Sequence, residues 1–99
     1  MNILSSKTIK LSDVAHWDET RGHFHVLLQG SDTFAALIIL KDAPLPLAHL
    51  DKSGSRPVVK LGENLHQRLE GEVRDAMARG AHQVATGLFL ATHAEMASM

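Results

Sequence analysis

The chain has 99 residues, seven histidines, no cysteine and a formal net charge of −1 at pH 7 with the histidines neutral. This length predicts a single domain over residues 1–99 with one modest core, and 44% hydrophobic against 21% charged residues excludes a fully disordered chain. Balanced charge argues against a nucleic-acid-binding domain, and the lack of cysteine excludes disulfides and thiolate metal sites.

The N-terminal segment predicts one short strand followed by a helical turn. Thr8 to Leu11 alternates polar and apolar residues, which is the period of a strand. Ser12 and Asp13 belong to the residue types that cap helices, so we expect one helical turn over Val14–Trp17. A turn at Thr20–Gly22 then leads into the next strand.

A β-hairpin is predicted next, with strands from His23 to Leu28 and from Thr33 to Leu40 around a turn at Gly30–Asp32. The second of these strands is apolar on both faces. One layer of helices covers only one face of a sheet, so a loop or a second subunit must cover the other. We assign Leu37 and Ile39 to the face that a partner would cover.

The second half of the chain predicts helices and a last strand. Proline-containing stretches at residues 42–46 and 51–57 flank a short helix over Leu45–Leu50. An apolar stripe at three- and four-residue steps predicts a long helix that ends at Gly80. A final strand is expected over Val84–Thr92, and the tail from Ala94 to Met99 is expected to fray.

Opposite charges lie four residues apart on the outer face of the long helix, where they can pair: Arg68–Glu72, Glu70–Arg74 and Asp75–Arg79. Gly71 interrupts this helix and is costly there unless a partner approaches closely.

These elements in the order β-β-β-α-α-β predict an α+β fold. The expected architecture is an antiparallel sheet of three to four strands with helices packed on one face, and an ordered core over about residues 7–92. The predicted core residues are Phe24, Val26, Leu28, Ile38, Leu65, Leu69 and Val73.

The stretch Trp17-Asp18-Glu19-Thr20-Arg21, followed by a hairpin, a long charged helix and a short last strand, resembles a family of small uncharacterised bacterial proteins, a domain of unknown function. Its members place a W-D-x-x-R motif before the first hairpin strand. The resemblance covers about Lys7 to Thr92. It implies a small bacterial α+β protein and brings no activity, cofactor or catalytic residue with it.

The histidine pair His23-x-His25 is the clearest candidate for chemistry. Alternate residues of a strand point to one face, so both imidazoles could reach one Zn²⁺ or Ni²⁺ ion. A third ligand would come from His16, Asp18 or Glu19. The alternative interpretation is a polar stripe facing solvent, in which case no metal or other cofactor is bound.

Histidine richness also permits a response to pH. Protonation of all seven histidines would change the formal charge from −1 to +6. A change of this size could alter association, unless the histidines are dispersed and titrate independently.

No G-x-S-x-G motif and no phosphate-binding loop occurs in the chain. We therefore expect a non-enzymatic cytoplasmic protein that acts through protein–protein contact or as a homodimer, without nucleic acid or membrane. Trp17 either anchors an interface or covers the edge of the core. A metal-binding protein using His23 and His25 is the first alternative, and a small enzyme with a histidine general base is the second.

Overall fold

The computed structural model describes residues 9–44 and 58–98. The strands are β1 (Lys10–Asp18), β2 (His23–Gln29), β3 (Phe34–Leu40), β4 (Val58–Lys60), β5 (Gln83–Ala85) and β6 (Leu88–Thr92), and the helices are α1 (Glu63–Ala78) and α2 (His93–Ala97). All strands pair antiparallel in the order β4-β1-β2-β3-β6-β5. The α+β class is confirmed, but within the described residues the sheet has six strands rather than three to four. The predicted helix over Leu45–Leu50 lies outside the described residues.

Strand β1 continues where a helical turn was predicted. Leu11 pairs with Leu28 and Ala15 pairs with Val26, so three residues of β1 lie opposite Leu27 alone. The hydroxyl of Ser12, which was expected to cap a helix, instead accepts a hydrogen bond from the Val14 amide at 3.1 Å within this bulge. The prediction was wrong because a bulge, like a helix start, uses a side-chain acceptor for a backbone amide.

The core lies between α1 and one face of the sheet. On β2 the predicted core residues Phe24 and Val26 are fully buried, and the register pairs them with Ile39 and Leu37 of β3. Cross-strand partners share a face, so Leu37 and Ile39 also point into the core, where both are fully buried. This corrects their assignment to a partner-facing surface. Ile38, predicted for the core, is buried on the opposite face of β3.

Helix α1 closely matches the prediction. It ends at Ala78 with Arg79 as its C-cap, and Gly80 follows with a φ of +70°, a conformation that favours glycine. The three predicted i,i+4 ion pairs are present, with N–O distances of 3.1, 3.3 and 3.1 Å. Apart from its chain neighbours and the helix's own backbone, no heavy atom lies within 4 Å of where a Cβ on Gly71 would stand, so no other element approaches the helix closely there.

Strand β4 does not extend as far as the first residues of β1. Helix α1 lies beside those residues instead. The Leu11 amide donates to Glu70 Oε2 at 2.9 Å, and His66 Nε2 donates to the Leu11 carbonyl at 2.6 Å. Arg74 donates to the Ile9 carbonyl at 2.9 Å and pairs with Glu70 at 3.3 Å. These side chains satisfy backbone groups that an open sheet edge would leave free.

The segment predicted as one last strand is a hairpin, β5–β6, because Gly87 turns the chain with a φ of +80°. An added Cβ at Gly87 would stand 2.6 Å from the Ala43 Cβ. Within the tail that was predicted to fray, Ala94 to Ala97 belong to α2, and Met99 lies outside the described residues. Its start is a capping box, in which the Thr92 hydroxyl accepts from the Glu95 amide and the Glu95 carboxylate accepts from the Thr92 amide.

Neither helix of the described chain has the length and apolar character that crossing a membrane requires.

Candidate functional site: the histidine face

The sheet surface opposite α1 carries a continuous row of side chains across all six strands. Successive cross-strand partners form this row: Val58, His16, His25, Ile38, Phe89 and Gln83. The neighbouring rows on the same surface hold Asp18, His23 and Leu40 on one side, and Leu27, Ala36 and Ala91 on the other. We call this surface, defined by these three rows, the histidine face.

Strand alternation explains why the histidines meet there. On β2 the residues Phe24 and Val26 point to α1, so His23 and His25 point away from it. On β1 the bulge sets the register that places His16 opposite His25. The sequence predicted the shared face of His23 and His25, and the register adds His16 and Asp18 to it. Glu19 lies in the turn beyond β1.

The imidazole rings of the histidine face are closely packed rather than spread apart in solvent. The rings of His16 and His25 stack with centroids 5.2 Å apart and an angle of 14° between their planes. His23 is only 7% exposed. Its Nε2 atom and the Nδ1 atom of His25 are buried without a hydrogen-bond partner. A buried nitrogen without a partner tolerates the neutral ring far better than the charged one.

The electrostatics of the face also favour neutral histidines. Burial lowers the pKa of His23, and it outweighs the opposing effect of the Asp18 carboxylate. Burial also lowers the pKa of His25, and charge on His16 and His23 lowers it further. Asp18 is already engaged, because it accepts from the Arg21 amide at 3.1 Å and from the Arg21 guanidinium at 3.2 Å. The amide hydrogen bond is the main reason that the pKa of Asp18 is lowered.

The predicted metal pair, His23 and His25, lies on one face of β2, and its use as a pair of metal ligands stays a prediction. His23 Nε2 is enclosed, and His16 and His25 face each other ring to ring. Across residues 9–44 and 58–98, no group of three or more histidine, cysteine, aspartate or glutamate side chains is arranged to hold a metal ion.

Two apolar side chains on the histidine face are left to solvent. Leu27 is 46% exposed and Val58 is 45% exposed, and these are the exposed large hydrophobic residues of the described chain. Trp17, the predicted interface anchor, points to the α1 side. It packs on Phe24 with ring centroids 4.8 Å apart, at the margin of the core.

A concave region, which the sequence did not reveal, lies beside the β1 bulge and adjoins the histidine face at Leu27 and Lys10. It is a cavity of about 590 Å³ whose lining includes Lys10, Asp13, Lys60, Glu63 and His66. This lining carries both positive and negative charges, and the imidazole of His66 is hydrogen-bonded to the Leu11 carbonyl.

Comparison with protein families, curated proteins and solved structures finds no match to this chain. The resemblance carried by Trp17-Asp18-Glu19-Thr20-Arg21 therefore stays a prediction.

Proposed function

We propose that this chain is a non-enzymatic cytoplasmic protein that acts through protein–protein contact, and that the histidine face is the surface on which a second copy packs. The carrying observation is the position of Leu27 and Val58. Both exposed large apolar side chains of the described chain lie on this face, at 46% and 45% exposure. Exposed apolar side chains are characteristic of interaction surfaces when they are grouped on one face.

The charge pattern favours a second copy as the occupant. Lys10 lies at one end of β1 and Asp18 at the other, and both alternate with core-facing neighbours, which puts them on the histidine face. A two-fold axis between two facing sheets, running across their strands, would set Lys10 of each copy over the Asp18 end of the other. Such an interface is self-complementary, as cyclic dimers require.

The same operation brings Leu27 of each copy towards the row of His25 in the other. Ala36, Ile38 and Ala91 are already buried within one chain, so the contact layer forms on the β4–β1–β2 side of this face. Neutral imidazoles and aliphatic side chains can share such a layer. We assign no catalytic role to the cavity beside the bulge, because its histidine already serves as a donor to the fold.

The test is sedimentation velocity of the untagged chain at pH 7.5 with three variants. We expect a dimer for the wild type and a monomer for Leu27→Glu and for Val58→Glu, because each buries a carboxylate in the interface. Thr86→Glu is the matched control, since this exposed residue lies in the β5–β6 turn, and it should stay dimeric. A monomeric wild type, or a dimeric Leu27→Glu, would overturn the proposal.

Native mass spectrometry before and after a chelator separates this proposal from the metal-binding alternative. A dimer whose mass does not change with chelator supports association through side-chain contact. A stoichiometric zinc or nickel ion that chelator removes, and that His23→Ala with His25→Ala abolishes, would support the alternative instead.

A further inference from the structure

The cavity beside the β1 bulge lies between the histidine face and the start of α1. Lys10 and Lys60 line it from the histidine face, because each lies next to a core-facing strand residue, Leu11 and Val59 respectively. Glu63, the first residue of α1, lines it from the helix side. The volume of about 590 Å³ falls within the range of small-molecule pockets, which is about 300–1,000 Å³. The cavity therefore has the size for a small molecule, with cations on one side and a carboxylate on the other.

The charged side chains of this lining are free to meet a ligand. Four of them make no ion pair in the part of the chain that the structure describes: Lys10, Asp13, Lys60 and Glu63. The three acids further along α1, by contrast, each pair with an arginine. A ligand with only negative charge would meet two carboxylates here, and a ligand with only positive charge would meet two ammonium groups. Two unpaired charges of each sign fit a ligand that itself carries both signs.

The lining also offers apolar surface and is held in place by the fold. Leu27 lines the cavity and is 46% exposed, so an aliphatic group that packs on it is removed from water. The Leu61 amide donates to the Asp13 carbonyl at 2.7 Å, and His66 Nε2 donates to the Leu11 carbonyl at 2.6 Å. These two hydrogen bonds tie the chain after β4, and α1 itself, to the bulged strand. The cavity is therefore formed before a ligand binds, which lowers the cost of binding.

We propose that this cavity binds a small zwitterion of the class of free aliphatic α-amino acids. The ligand carboxylate faces Lys10 and Lys60, and its ammonium group faces Asp13 and Glu63. Its aliphatic side chain packs on Leu27. Hydrogen bonds between oppositely charged groups are about twice as strong as neutral ones, so both ends of the ligand contribute to recognition. This site goes beyond the protein–protein contact proposed above, and it lies within a single chain.

The test titrates the isotope-labelled wild type with L-leucine as the probe and follows the backbone amide signals by NMR. We expect saturable shifts at Ser12 and Leu61, which line the cavity. Two analogues each remove one charge from the probe: isocaproate lacks the ammonium group and isopentylamine lacks the carboxylate. Each should bind at least roughly tenfold more weakly than leucine, because one set of charge-assisted hydrogen bonds is lost. No saturable shift in the lining, or an analogue that binds as tightly as leucine, would overturn the inference.

Two variants assign the charges to their residues. Lys60→Gln and Glu63→Gln should each weaken leucine binding by roughly tenfold, because each removes a charged partner of the ligand. Lys41→Gln and Glu19→Gln are the matched controls, exposed residues of the same types outside the lining, and should bind leucine as the wild type does. Unchanged affinity in Lys60→Gln or Glu63→Gln would contradict the proposed site. The analogue series on the wild type decides the matter if a variant does not fold.

The outcome for this site is separate from the outcome for the dimer. Sedimentation of the same samples reports how many copies associate, whereas the titration reports leucine bound to each chain. A monomeric wild type that binds leucine would overturn the proposed function and support this inference. A dimer that does not bind leucine would do the reverse.

Discussion

The two faces of the sheet are built from the same strands but differ in residue composition and in exposure to solvent. The α1 side is filled by fully buried side chains such as Phe24, Leu37 and Ile39. The histidine face combines aliphatic residues with His16, His23 and His25, and leaves Leu27 and Val58 substantially exposed. The first face therefore supplies the packed core between the sheet and α1, and the second leaves two large apolar side chains exposed.

The largest expected difference between the two faces is in the free energy of unfolding when one residue on each face of the β2–β3 hairpin is truncated to alanine. Leu37→Ala removes a fully buried side chain, so we expect a loss of about 2–5 kcal/mol in the free energy of unfolding by urea. Leu27→Ala, measured on the monomer at low concentration, should cost less than about 1 kcal/mol because its side chain is 46% exposed. Equal losses from the two variants would contradict the division between the faces.

The contact between α1 and the start of β1 is a smaller and more specific test. Glu70→Ala leaves the Leu11 amide without its acceptor and removes the Arg74 pair, so we expect a loss of about 1–3 kcal/mol in the free energy of unfolding. Glu72→Ala is matched in residue type, helix and ion pair but contacts only Arg68 at the surface. It should cost no more than about 0.5 kcal/mol. If both variants lose the same amount, the contact with β1 has no energetic role.

The register of β3 shows where sequence reasoning stopped. Phe24 and Val26 were correctly predicted for the core because β2 alternates cleanly. Residues of β3 are apolar on both faces, so nothing in the strand itself distinguishes Leu37 from Ile38. The pairing with β2 decides it, and the prediction had the two faces of β3 reversed.

Other differences trace to signals of two kinds. The capping box of Thr92 and Glu95 is legible in the sequence and would have predicted α2. The paired β-branched residues Val58 and Val59 are a weaker sign of β4. By contrast, the His16–His25 stack depends on the bulge after Leu11, and a bulge has no sequence signature that separates it from a helix cap here. The candidate site was thus partly predictable: alternation placed His23 with His25, nearness in sequence named His16 as a candidate third ligand, and the register then placed His16 opposite His25.

A substitution at Gly71 tests whether a second copy docks on the outer side of α1 or on the histidine face. The space above Gly71 is open, so Gly71→Ala should stabilise the helix, raising the free energy of unfolding by about 0.5–1 kcal/mol. If the second copy packs on the histidine face, the dimer dissociation constant at pH 7.5 should be unchanged in this variant. A partner backbone packed closely on α1 would instead meet the added methyl group, and the dimer would weaken even though the helix gained stability. Sedimentation and urea unfolding of the same preparation give both quantities. A weakened dimer would move the interface from the histidine face to α1.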